Sequence, residues 1–416
     1  MTTLRCTNSP VKAGLVRYAC AAMLARIADG GGVLAVILLC QSSEQYYTVT
    51  GWMAACITLP HMLGPFIARR IDTASDGRRV IAMACLAYAF ITEIMTVTFG
   101  HVPLLLTALL LIAAGLCGPL LTGGISAFLP AMAGPDQRSQ RRAQGLDVAT
   151  YGFGGTLGPS AVAAISAWAS PSAAFYLLAV GTVFAALFIM RLPVSPVTHS
   201  GKPAEVAGAI TTMGMMIRHT PLCRTLYLTM AVAFAVAVLP VVAVSMADVL
   251  GVPAATASFL TVAYGAGNLA GSVCLMVIPL RGEPDRLMLS SRGLIVAGLL
   301  SILVVSSFLP VFFCFFITGV LNASFFAATL AARSEYSPPS CRGQVFVWVG
   351  AMKITAGSLG IAAAGQLMML GAYAPLVLSL CTLSAVLVIS LCWPVSGHRS
   401  NLIANGLSRD SILFRP

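Results

Sequence analysis

Charged side chains are scarce in this sequence. Asp, Glu, Lys and Arg together supply 9% of its 416 residues, while apolar residues supply 58%. A soluble protein of this length needs a far more charged surface, so the soluble globular classes are excluded. Chemistry-bearing signatures are missing too. The twelve cysteines include no CxxC pair and stand singly, as at Cys20, Cys40, Cys56, Cys85 and Cys117, mostly inside apolar stretches. They read as small packing residues rather than a disulfide or metal framework. There is no HExxH, no GxSxG and no Ser/His/Asp set, so no catalytic residue, metal ligand or cofactor is expected and the chain does not read as an enzyme. A Walker P-loop is also absent, which argues against direct ATP drive.

Long apolar stretches are what the chain has instead. A membrane span needs about 20 apolar residues to cross about 30 Å of hydrocarbon. Twelve candidates emerge, at 14–40, 47–68, 79–99, 102–130, 143–168, 172–190, 223–247, 254–279, 293–309, 311–332, 343–370 and 373–393. The first is too long for a cleaved signal segment and is expected to be an uncleaved span. The connections at Gly100-His101 and Leu309-Pro310 are very short. The polar stretch 191–222 bisects the chain into six spans plus six. The expected units are a six-helix bundle at 1–191, a linker loop at 192–222, a second bundle at 223–393 and a tail at 394–416.

The basic residues are sorted by side. All but two of the 24 Lys and Arg fall in segments that lie on one side of the membrane, from Arg5, Lys12 and Arg17 to Arg399, Arg409 and Arg415. The exceptions, Arg26 and Lys353, sit inside apolar stretches. This is the positive-inside pattern of a multi-pass protein of the cell membrane with both termini cytoplasmic. The net charge of +11 therefore follows membrane sidedness, meets the anionic headgroups of the bilayer and does not indicate nucleic-acid binding.

The two halves echo each other. Arg142-Ala143-Gln144 opens the fifth stretch and Arg342-Gly343-Gln344 opens the eleventh, 200 residues later, each after a proline-containing loop. Matching placement in two six-span halves indicates an internal duplication.

Two motifs carry more. In the fifth stretch Gly145, Gly154 and Gly158-Pro159 let helix backbones approach closely, and Pro159 removes a backbone hydrogen bond. Between the second and third stretches runs Gly64-Pro65-Phe66-Ile67-Ala68-Arg69-Arg70-Ile71-Asp72, then Asp76-Gly77-Arg78-Arg79. The glycine spacing resembles the antiporter motif of proton-coupled exporters of the major facilitator superfamily (drug:H+ antiporter type). Val162 and Ala163 stand where that motif closes on glycines. The loop resembles the superfamily's latch signature, with Gly64 as the small residue, Asp72 as the latch acid, and Arg78 and Arg79 as the basic end. Ala68 stands in a usual glycine position. The resemblance implies an all-α membrane protein of twelve transmembrane helices in two pseudo-symmetric six-helix bundles, a central cavity and alternating access.

Ionisable groups inside hydrocarbon are functional candidates by default. Counting about 1.5 Å per residue places Arg26 and Asp29 about 14–18 Å from the inner face, Lys353 about 15 Å in with His61 at similar depth, and Glu93 about 21 Å in. Arg26 and Asp29, at i and i+3, can face each other. They form either a structural ion pair or a proton-exchanging site in which desolvation and the guanidinium act on Asp29 in opposite senses. Lys353 either attracts an anionic substrate group or pairs with Asp29 or Glu93. The two-bundle fold would bring it near His61, which is a proton carrier or a hydrogen-bonded core histidine. Glu93 either couples protons or reaches only the outer interface. Asp147 is expected to pair with Arg141 or Arg142. The phenylalanines Phe234, Phe312, Phe313, Phe315, Phe316, Phe325 and Phe326 line a greasy pocket or pack against neighbours.

The expected function is a secondary transporter, a proton-coupled exporter of small apolar or amphipathic compounds, acting as a monomer on protons and a small-molecule substrate. An uptake system or metabolite exporter is the alternative within transport. A membrane enzyme or lipid flippase is the alternative of another class.

Overall fold

The computed structural model describes residues 8–43, 49–193, 207–257 and 259–392. The expected tail at 394–416 and part of the expected linker (194–206), with Lys202, lie outside the described residues, as does Arg5. Among the described residues, twelve helical spans cross the molecule. In the first half they are span 1 (Asn8–Gln41), span 2 (Thr50–Thr73), span 3 (Gly77–Thr98), span 4 (Leu104–Met132), span 5 (Gln137–Trp168) and span 6 (Pro171–Met190). The second half holds span 7 (Thr220–Ser245), span 8 (Phe259–Val277), span 9 (Pro284–Val304), span 10 (Phe308–Tyr336), span 11 (Arg342–Leu367) and span 12 (Ala374–Cys392). Ten are long and apolar enough by composition alone to cross a membrane. The other two are the glycine-rich, charged span 5 and the shorter span 12.

The helix starts follow local chemistry. Asp76 caps span 3 through the N–H of Arg78 at 3.0 Å, Asp136 caps span 5 through Ser139 at 2.9 Å, and Ser170 caps span 6 through Ala173 at 3.1 Å. Capping by Asp136 explains why span 5 begins six residues before the apolar stretch does. The break between spans 9 and 10 falls before Phe308, not at Leu309-Pro310 as expected from the sequence. Pro310 instead occupies the first turn of span 10, where its missing N–H breaks no helix bond. Buried hydroxyls such as those of Thr92 and Thr96 donate to the carbonyls one turn back, as lipid surroundings require.

Each half has its own apolar core, and large apolar side chains such as Trp52, Met83, Phe90 and Val304 point outward where lipid tails would meet them. Glycine brings the spans together. A Cβ at Gly30 would lie 2.7 Å from the carbonyl oxygen of Gly154, and one at Gly158 would lie 2.6 Å from that of Ile27, so spans 1 and 5 touch backbone to backbone. A Cβ at Gly145 would sit 2.8 Å from the Leu275 carbonyl of span 8, so the opposite side of span 5 seats the second half. Span 5 stays continuous through Pro159.

The polar connection between the halves is not wholly loop. A short helix, Ala209–Arg218, packs its apolar face on Leu222, Val345 and Trp348 and ties to span 11, with Thr212 donating to Gln344 at 3.1 Å. Several basic residues expected in loops lie inside the helices. Arg141, Arg224, Arg292 and Arg333 are all buried, with Arg292 0% and Arg333 1% exposed. Helix ends extend past the apolar stretches, and neighbouring spans then cover these side chains.

Candidate functional site

At the centre, Arg26 of span 1 reaches across to span 5 rather than along its own helix. Its Nη1 lies 2.7 Å from Oδ1 of Asp147, and both side chains are buried. Tyr18 donates to the same oxygen at 2.5 Å, and Ser126 of span 4 donates to the other at 2.8 Å. Arg26 also donates to Ser126 at 2.7 Å and to Thr150, and its guanidinium stacks 3.5 Å from the Tyr151 ring centre. Both expected pairings fail here. Asp29 does not meet Arg26, and Asp147 meets neither Arg141 nor Arg142. The close approach of spans 1 and 5 at Gly154 carries Arg26 over Asp147, and a carboxylate accepting this many donors is fully satisfied in a dry interior.

Asp29 faces span 2. Its Oδ1 lies 3.1 Å from Nε2 of His61, and a Cβ at Gly118 would fall 2.8 Å from that oxygen, so only glycine leaves room for the pair. His61 sits on a tight helical turn, Leu59–Leu63, that interrupts span 2 behind Pro60. Its Nδ1 lies 3.1 Å from the Thr58 carbonyl oxygen, which can only accept, so Nδ1 carries a hydrogen. The hydrogen bond between Nε2 and Asp29 then needs a proton of its own. Either His61 is an imidazolium beside a carboxylate, or a neutral His61 accepts from a protonated Asp29. Either arrangement holds one proton between the two side chains.

His61 also borders a small cleft lined by Pro119, Thr122, Val347, Gly350 and Ile354. Span 11 thus does face span 2, but Lys353 turns the other way. Its Nζ lies 3.8 Å from the centre of the Phe326 ring and 5.9 Å from that of Tyr151. Among the described residues it forms no ion pair with Asp29 or Glu93. Glu93 is half-buried in span 3 and joins neither cluster. Of the phenylalanines, Phe326 is in the central cluster, Phe315 is buried in the core of the second half, and Phe313 is exposed.

The latch residues divide. Asp72 accepts from the backbone N–H of Gly343 and of Gln344, both at 2.9 Å, across the two halves. Gly64 packs against Pro119 and Val347. Arg78 pairs with Asp76 at 2.8 Å and donates to the Leu192 carbonyl, and its hydrogen bonds hold the Asp76 carboxyl below the usual range. Arg79 is largely exposed, 3.8 Å from Asp76. Arg141 of span 5 pairs with Glu335 of span 10 at 2.9 Å and donates to the Gly282 carbonyl at 3.1 Å. These contacts between the halves all lie at the arginine-rich end and close it. Tyr18, Ser126, Thr150, Tyr151 and Glu335 escaped the sequence reading, because a lone hydroxyl or surface acid carries no signal until a partner helix is placed.

Two helical bundles held shut at one end, with titratable groups at mid-depth, define a secondary transporter that works by alternating access, not an enzyme. The chain belongs to the Major Facilitator Superfamily, whose family model matches residues 19–241. The fold is shared with the human organic anion transporter MFSD10 (TM-score 0.71, 14% identity, 91% of this chain and 99% of that one). It is also shared with the proton:xylose symporter XylE (0.68, 14%, 92% and 96%) and with a bacterial homologue of the iron transporter ferroportin in an outward-facing state (0.70, 14%, 91% and 99%). No curated protein matches the sequence.

Proposed function

We propose that this transporter couples outward movement of small apolar or amphipathic compounds to inward movement of protons. The observation that carries this reading is the Asp29–His61 pair. Nδ1 is committed to the Thr58 carbonyl, so the remaining proton is shared between Nε2 and a carboxylate that is still partly exposed. One proton taken up or released there changes the charge of the pair next to a cleft shared with span 11. A bundle that rocks about this point would present the pair to each side in turn.

Export is supported by the glycines of span 5, with Gly154 and Gly158 packed on span 1 and Gly145 packed on span 8. On this reading the arginine-rich end is cytoplasmic, both termini lie on that side of the cell membrane, and the shut end makes the described state outward-facing. The monomer is the working unit, with 1–191 and 223–393 as the moving bodies and 192–222 as the hinge between them.

The test is purified full-length protein in liposomes with an imposed pH gradient, read by an internal pH-sensitive dye while hydrophobic and amphipathic compounds are added singly. Compound-dependent proton movement that a protonophore abolishes is the expected result. Compound movement that ignores the gradient in wild-type protein would sink the coupling.

A further inference from the structure

The central cluster holds more positive charge than it can balance. Arg26 is matched by Asp147, with Tyr18, Ser126 and Thr150 completing its shell. Lys353 and Arg333 have no such match. Neither has a carboxylate within ion-pair distance among the described residues, and Nε of buried Arg333 makes no hydrogen bond.

Aromatic rings surround this surplus. Phe326 and Tyr151 meet edge to face at 5.0 Å, with the Lys353 ammonium over the first ring and the Arg26 guanidinium over the second. Arg333 lies behind, between Phe326 and Phe346. A ring face offsets only part of the cost of desolvating an ammonium, and a like-charged neighbour adds to it. Lys353 itself is half-buried.

We propose that this cluster is a headgroup site and that the transported compounds are amphipathic organic anions. Their single carboxylate or sulfonate group meets Lys353, and an aromatic or aliphatic body lies along Phe326 and Tyr151. The inference rests on the transport reading and narrows its substrate class. Arg333 contributes field from beneath the site rather than contact, and the Arg26–Asp147 pair supplies a rigid wall.

Full-length protein in nanodiscs of phosphatidylcholine is titrated with four probes of one shape: 1-naphthoate, 1-naphthalenesulfonate, neutral 1-naphthamide and cationic 1-naphthylmethylammonium. Saturable binding of the two anions is expected, with the neutral and cationic probes weaker by about tenfold or more, as the loss of one close charge pair implies. Lys353→Gln is expected to erase that preference and Lys353→Arg to keep it. Preference for the neutral or cationic probe, no binding of either anion, or equal anion affinity in Lys353→Gln overturns the proposal. Should Lys353→Gln fail to fold, the charge preference of the wild-type protein decides alone. Parallel flux measurements in proteoliposomes separate the two readings. Flux of the neutral probe without flux of the anions would sink the anion site and leave transport standing. Anion binding without flux of any probe would do the reverse.

Discussion

Asp72, near the end of span 2, accepts the backbone N–H of Gly343 at 2.9 Å, and a Cβ at 343 would lie 2.7 Å from the same oxygen. One bundle thus caps the first turn of a helix in the other. The cap satisfies two otherwise orphaned N–H groups and places a carboxylate at the positive end of the helix dipole. Because the contact spans the halves, it exists only while this end is shut.

Asp72→Ala is therefore expected to loosen the arginine-rich end by about 2 kcal/mol, the scale of two hydrogen bonds to a charged acceptor. The readout is the rate at which an impermeant maleimide labels a cysteine placed at Ala127, in a background cleared of other cysteines. Labelling from the arginine-rich side should quicken by at least about tenfold. An unchanged rate would mean that Asp72 holds nothing closed.

Arg26 and Asp147 form a buried pair whose partners cannot be removed singly without leaving an unmatched charge. Arg26→Met and Asp147→Leu are each expected to lower stability by about 3–5 kcal/mol, and the double variant by clearly less than their sum. Thermal unfolding in detergent measures this, and additive losses would contradict the pairing.

Asp29→Asn removes the carboxylate that shares a proton with His61. Accumulation driven by a pH gradient should fall by at least about tenfold, while exchange of compound between equal concentrations on both sides persists. His61→Gln should fall between wild type and Asp29→Asn. Full gradient-driven accumulation by Asp29→Asn would remove this pair from coupling.

The glycines of span 5 differ sharply in what surrounds them. Gly158→Val should push spans 1 and 5 apart, costing about 1–3 kcal/mol or more, whereas Gly155→Val, with open space at its Cβ position, should be tolerated. The yield of monodisperse protein by gel filtration distinguishes them. Equal yields would show that backbone contact at Gly158 does not matter.

Much of the architecture is visible in the linear chain because hydropathy is a local property. A stretch of apolar residues long enough to cross lipid must be helical, whatever its neighbours are. The spacing of Gly154 and Gly158 likewise marks one helix face, since 3.6-residue periodicity is internal to the helix. Depth along a span follows from counting residues, which is how Arg26, Asp29, His61 and Lys353 stand out before any fold is known.

Partnership is different, because it depends on how each helix is rotated and which helix lies beside it. Spacing of i and i+3 allowed Arg26 to face Asp29, yet the backbone contact of spans 1 and 5 turned Arg26 to Asp147 and left Asp29 to His61. The tertiary structure alone also buried Arg292 and Arg333, and gave Asp72 a helix end in the other bundle as its partner. Sequence set which side chains enter the membrane and how deep. Only packing, which fixes rotation and neighbour together, decided which charges are matched and which are not.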